Sequence, residues 1–121
     1  MNNKLLIIDD EDILLEILKP YFERKGYEVF TAERGDAGLT LLKEHDPDLM
    51  LLDLHMQIGI QGIDILKEAL KFKPGLRIVV FTGFGRDEDI VRECINLGAK
   101  TVVRKPSSLN VLKEALDKLK E

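Results

Sequence analysis

The chain has 121 residues, 45% of them hydrophobic and 33% charged, with a net charge of −4 and one cysteine. This length holds one domain with a real core, the acidic balance argues against nonspecific nucleic-acid or anionic-membrane binding, and one cysteine excludes an internal disulfide and fits a reduced cytoplasm. No apolar run reaches bilayer length, and Met1-Asn2-Asn3-Lys4 leads into four apolar residues and then acids, unlike a signal peptide.

The first predicted strand is Lys4 to Ile8, and it runs into Asp9-Asp10-Glu11-Asp12. Asp10 or Asp12 is expected to cap the following helix. That helix carries Leu14, Leu18 and Phe22 on one stripe, with Ile13, Ile17 and Tyr21 beside it. The stripe continues past Pro20, which predicts a kink rather than a break, and Gly26 ends the helix. Tyr27 to Ala32 is the second strand. Gly35-Asp36 opens a short helix with Ala37, Leu41 and Leu42 inward, stopping before Pro47. Leu49 to Leu52 has no alternation, as expected of a strand covered on both faces. Gly59 and Gly62 lie in the next loop, before a helix with Ile63, Leu66, Ala69 and Leu70 inward. Pro74-Gly75 is a turn. Arg77 to Thr82 is the fourth strand, followed by a loop with Gly83 and Gly85. Asp87 starts a helix with Ile90, Cys94 and Leu97 inward, ending at Gly98. Thr101 to Arg104 is the fifth strand and runs into Lys105-Pro106. Ser107 or Ser108 caps a last helix with Leu109, Leu112, Leu116 and Leu119 inward. Five βα units with no linker, repeat or low-complexity run predict one α/β domain over residues 1–121. Its parallel sheet has helices on both faces and right-handed crossovers.

In such a sheet all strand carboxyl ends share one edge, where ligands bind. Four of the five predicted strands end there in polar residues: Asp9 and Asp10, Asp53, Thr82, and Lys105. Each has a plainer reading alone. Asp9-Asp10-Glu11-Asp12 suits a helix N-terminus, Asp53 can stop a strand, Thr82 can be a strand-end hydroxyl, and Lys105 can be surface. Their joint placement at four correct ends argues for a site. Three neighbouring carboxylates need counter-charge. Lys105 supplies some, and a hard divalent cation such as Mg²⁺ the rest. The set suits phosphoryl transfer, with Asp53 as covalent nucleophile. Mg²⁺ and Lys105 would stabilise transition-state charge, and the Thr82 hydroxyl would donate to a phosphoryl oxygen.

Five motifs in order resemble the receiver domains of two-component response regulators, over the whole chain. They are Ile8-Asp9-Asp10-Glu11, the run Pro47-Asp48-Leu49-Met50-Leu51-Leu52-Asp53-Leu54-His55-Met56, Phe81-Thr82-Gly83, Leu97-Gly98-Ala99 and Lys105-Pro106. The resemblance implies a doubly wound, flavodoxin-like five-stranded sheet of order 2-1-3-4-5 with five helices. It implies Asp53 as phosphoacceptor, Asp10 as direct Mg²⁺ ligand, Asp9 acting mainly through water, and the backbone carbonyl of His55 as a further ligand. It implies Lys105 as the phosphoryl-contacting lysine, preceding a cis proline that holds it rigidly, and Thr82 as the switch hydroxyl. Three features depart from the pattern. Val102 stands where a mobile aromatic ring is usual. Gln57 replaces the usual proline, and Gly62 comes one residue late, so the loop should be longer and softer. His55 and Phe84 occupy positions that tune phosphoryl lifetime, and the bulk of Phe84 would restrict water.

Implied partners are a sensor histidine kinase or phosphotransfer protein as donor, and a downstream target on the face formed by the fourth helix, fifth strand and fifth helix. A homodimer on phosphorylation is a further possibility, with no nucleic acid or membrane contact in this domain. The expectation is a cytoplasmic, stand-alone phosphoacceptor rather than a turnover enzyme, with a fragment of a larger regulator as the alternative. Three other readings are weaker. An Asp-nucleophile phosphohydrolase wants a second acid where His55 stands. A phosphorylation-independent dimerisation or interaction module would bind partners regardless of Asp53. A flavin protein of this topology wants a Ser/Thr-rich loop after the first strand. Cys94 is expected to pack in its helix stripe, and His45 to favour a helix C-terminus. The charges of the last helix, such as Lys113, Asp117 and Lys118, form a solvated face.

Overall fold

Strands and helices alternate because the apolar pattern does. The computed structural model describes residues 1–83 and 87–120. Expectations about Phe84, Gly85 and the chain's last residue therefore lie outside the described residues. The strands are β1 (Lys4–Ile8), β2 (Glu28–Ala32), β3 (Leu49–Leu52), β4 (Arg77–Thr82) and β5 (Thr101–Arg104). The helices are α1 (Asp12–Arg24), α2 (Gly35–His45), α3 (Gly62–Phe72), α4 (Glu88–Leu97) and α5 (Leu109–Leu119). All strand pairs are parallel, in the order β2-β1-β3-β4-β5. This is the parallel sheet expected from the alternating elements, in the doubly wound order that the resemblance implied. Among the described residues, no helix is long and apolar enough to cross a membrane.

The sheet separates two cores by strand parity. Leu6, Ile8, Met50, Leu52, Ile78 and Val80 face Leu42, Ile65, Leu66, Ala69 and Cys94 on α2, α3 and α4. Leu5, Ile7, Leu49, Leu51, Val79 and Phe81 face Leu15, Leu18, Phe22, Leu112 and Leu116 on α1 and α5. Every residue of β3 is buried, so its lack of alternation is explained. Each such side chain contributes about 2 kcal/mol of hydrophobic stabilisation, which holds the sheet fixed beneath its loops.

Several local expectations are corrected. Neither Asp10 nor Asp12 caps α1. Glu11 occupies the cap position without a side-chain cap bond, its carboxylate accepting from Lys105 instead, while Asp10 accepts the Gln57 N–H and Asp12 is the first helical residue. The inward face of α1 is Leu15, Leu18 and Phe22, whereas Ile13 and Ile17 are 70% and 49% exposed. Apolar residues cover so much of this helix that periodicity alone does not choose its buried side. The helix does run through Pro20 to Arg24. On α2, Ala37 points outward and Gly38 inward. A Cβ on Gly38 would lie 2.4 Å from Ile8 Cδ1, so a glycine marks the true packing face. Asp87 and Ser108 cap α4 and α5 through their side chains, and Gly98 closes α4 in the left-handed region.

Candidate functional site

Three ladder bonds run one residue past the strands and place the site. Asp9 N–H donates to Ala32 O at 3.0 Å, Asp53 N–H to Ile8 O at 2.9 Å, and Lys105 N–H to Thr82 O at 3.0 Å. The sheet's carboxyl edge is thereby extended by the residues that carry the chemistry. Asp9 and Asp53 are 2% and 4% exposed, and Thr82 is fully buried.

Lys105 reaches across this edge. Its Nζ lies 2.7 Å from Asp9 Oδ2, 2.8 Å from Glu11 Oε1 and 3.2 Å from Asp53 Oδ2. It also sits 5.2 Å from the centroid of the Phe81 ring. Burial alone would push the ammonium's pKa down, but hydrogen bonds to Asp9 and Glu11 and the charges of Asp53 and Asp9 hold it above the usual lysine range. The Asp9 carboxyl is nevertheless pushed up by burial, although Lys105 and the Glu11 amide pull it down. The two directions agree physically, because one ammonium is shared among three carboxylates. The Lys105–Pro106 bond is cis, as the resemblance implied.

The remaining polar contacts come from the loop after β3. His55 N–H donates to Asp53 Oδ1 at 3.2 Å, and Gln57 N–H to Asp10 Oδ2 at 2.9 Å. Gln61 Nε2 donates to Met56 O at 2.8 Å, and Gly62 N–H to Leu54 O at 3.0 Å. A Cβ at Gly62 would stand 2.2 Å from Leu54 Cα. The loop expected to be soft is thus tethered at both ends and to the site. Asp10, Glu11, Asp53, His55, Gln57, Gly83 and Lys105 line a cleft of about 490 Å³.

One oxygen each from Asp9, Asp10 and Asp53 can be chosen so that all lie within 4.8 Å of one another. Such a set of hard oxygens, with buried acid and one shared ammonium, fits a hard divalent cation. The structure thus brings Asp9, Asp10, Asp53 and Lys105 together, with Thr82 buried beside them at the end of β4. Glu11 and the Gln57 amide were not anticipated as site groups. Glu11 was visible in the acidic run, but its reach to Lys105 depends on the turn made when Asp9 Oδ1 accepts the Glu11 N–H at 2.9 Å. A backbone donor leaves no mark in a sequence except the absence of proline. Of the groups given lesser roles, Cys94 is buried as expected, and His45 stacks on Phe30 at 4.1 Å. Val102 packs against the α4-side core.

Residues 5–117 match the family model described as the response regulator receiver domain. Sporulation initiation phosphotransferase F of Bacillus subtilis (strain 168) is 34% identical over 118 residues, covering 98% of this chain and 94% of its own. A solved response regulator receiver domain protein from Clostridium thermocellum is 32% identical, with a TM-score of 0.89, over 98% of this chain and 94% of that one. A response regulator from Burkholderia pseudomallei, solved with a phosphorylated aspartic acid, a calcium ion and citrate, is 26% identical, with a TM-score of 0.87. That match covers 95% of this chain and 66% of the other.

Proposed function

The chain belongs to the response regulator receiver domain family, and on that premise we propose that Asp53 is the residue that accepts the phosphoryl group. The observation that carries this reading is the burial of Asp53 at the end of β3, with Lys105 Nζ 3.2 Å from its carboxylate. A solved neighbour holding a phosphorylated aspartic acid supports the same chemistry.

In this reading residues 1–121 form one receiver unit. Asp10 and Asp53, with Asp9 acting through water and the His55 carbonyl, would hold a divalent cation, Mg²⁺. A cation held there would supply positive charge to offset that on the transferring phosphoryl oxygens. Asp53 attacks the phosphorus of a phosphohistidine. The P–N bond breaks, a P–O bond forms on the carboxylate, and the imidazole leaves with the electron pair of the broken bond and takes up a proton. The His55 N–H, already on Asp53 Oδ1, orients the carboxylate. Lys105 exchanges a carboxylate contact for a phosphoryl oxygen, and the Thr82 hydroxyl turns to donate to another. Hydrolysis of the acyl phosphate resets the domain, so the protein is a self-resetting phosphoacceptor rather than a turnover enzyme.

The donor is a sensor histidine kinase or phosphotransfer protein, a role in keeping with the name of the Bacillus relative. The protein works in the cytoplasm, beside such donors. Phosphorylation shifts the conformation of the face formed by α4, β5 and α5, which then binds a target protein or a second copy. With Val102 in place of an aromatic ring, the readout runs through packing of α4, whose Ile90 and Leu97 share the core cluster with Val102.

The test is intact-protein mass spectrometry after incubation with Mg²⁺ and acetyl phosphate, with Asp53→Asn alongside. Gain of one base-labile phosphoryl group by wild type and none by the variant is expected. Equal labelling of both proteins, or of neither with acetyl phosphate and with a phosphohistidine donor, would overturn the assignment.

A further inference from the structure

We propose that the backbone amide of Gln57 is a positioning group for the cation site, fixing the Asp10 carboxylate and tying that site to the loop between β3 and α3. The inference rests on the reading that Asp10 is a ligand of a divalent cation. Gln57 N–H donates to Asp10 Oδ2 at 2.9 Å, across 47 residues of sequence. Both residues line the same cleft.

The amide is placed by its neighbours. Met56, just before it, is 2% exposed, and its carbonyl accepts from Gln61 Nε2. The far end of the loop is held by the Gly62 N–H on Leu54 O, where the two backbones approach too closely for any Cβ. Gln57 is thus held between a buried residue and a fixed turn, with its N–H aimed at the carboxylate. A carboxylate that accepts one amide bond keeps its other oxygen and further lone pairs for a cation, and loses the rotational freedom that a cation would otherwise have to restrict. Groups that orient a metal ligand this way commonly change metal affinity by 10–100-fold when removed.

Proline at this position, the residue usual in the family that the chain resembles, has no N–H to give. The extra bond is therefore a property of this loop, which also places Gly62 one residue late. Coupling of this kind is reciprocal. Cation binding should hold the loop, and the loop's conformation should set cation affinity.

The experiment is isothermal titration of Mg²⁺ into the full chain as wild type, Gln57→Ala and Gln57→Pro, with hydrogen exchange of the Gln57 amide followed by NMR. Alanine keeps the N–H and removes the side chain; proline removes the N–H. Gln57→Ala should bind within about twofold of wild type, and Gln57→Pro about tenfold more weakly. In wild type the Gln57 amide should be protected, and more so with Mg²⁺. If Gln57→Pro fails to fold, Asp10→Ala serves in its place. The Gln57 amide should then lose protection, while that of His55, bonded to Asp53, keeps it. Equal affinity of Gln57→Pro and wild type, equal weakening of both Gln57 variants, or an unprotected Gln57 amide in wild type would overturn the proposal alone. Absence of Mg²⁺ binding by wild type would overturn the cation-site reading and this proposal with it.

Discussion

Lys105 contacts three carboxylates at once, and two of them, on Asp9 and Asp53, have side chains only 3% and 5% exposed. Removing a partner from a buried pair usually costs more than the pair contributes, because the remaining charge is stranded. Replacing Lys105 with methionine should destabilise the Mg²⁺-free protein by about 2 kcal/mol, less than for a sealed pair because the cleft admits water. Added Mg²⁺ should recover much of that loss. Urea unfolding with and without Mg²⁺ checks both. A loss that Mg²⁺ leaves unchanged would mean that the lysine matters for packing rather than charge. At this scale the sequence was readable where a side chain ended a strand. Asp9, Asp10, Asp53, Thr82 and Lys105 all stand where strand order put them. Glu11 and the Gln57 amide were not readable, because one depends on a turn and the other on a backbone direction.

The helices show which features of an element its pattern reveals. β3 could be read from four apolar residues because both its faces are covered. The face of α1 could not, since Leu14, Leu15, Ile17 and Leu18 offer overlapping stripes and only the sheet selects among them. On α2 the packing face is marked by glycine, which a hydrophobic pattern does not count. Two of the close-packed glycines, Gly62 and Gly38, should differ in their tolerance of a methyl group. At Gly62 the obstacle is Leu54 backbone, 2.2 Å from a Cβ, whereas at Gly38 it is the end of the Ile8 side chain, at 2.4 Å. Backbone cannot swing aside, but an isoleucine can change rotamer. Gly62→Ala should cost about 3 kcal/mol and Gly38→Ala about 1 kcal/mol, within the range for overpacking. Thermal or urea unfolding of the pair would show the order. The reverse order would mean that the β3–α3 loop yields more easily than the sheet-side core.

Across the whole molecule the two edges of the sheet are built differently. At the amino edge Lys73 Nζ lies 2.8 Å from Asp46 Oδ1, Asp48 Oδ1 and the Pro47 carbonyl, and the Asn2 amide donates to Asp48 Oδ2. The Lys73 hydrogen bond holds the Asp48 carboxyl below its ordinary value of 3.8. A depressed acid stabilises the fold fully above the unfolded pKa, and the contribution fades as pH falls through the folded one. Asp48→Asn should therefore lose about 1 kcal/mol at pH 7. Its deficit against wild type should shrink below about pH 4. Unfolding curves across that range check it, and a deficit independent of pH would rule out the charge as its source. Acid is answered by base at this edge, whereas at the carboxyl edge, among the described residues, Asp9, Glu11 and Asp53 share the ammonium of Lys105 and Asp10 accepts only the Gln57 amide. On the proposed function that imbalance would set an order of arrival. A phosphorylated donor is itself an anion, and on the proposed reading a cleft lined by these carboxylates would repel it until a divalent cation had entered. If Asp53 is the acceptor as proposed, the cation would be an admission requirement as well as an aid to the chemistry, and a partner bearing phosphate would distinguish a charged cleft from a neutralised one before any bond to Asp53 is made.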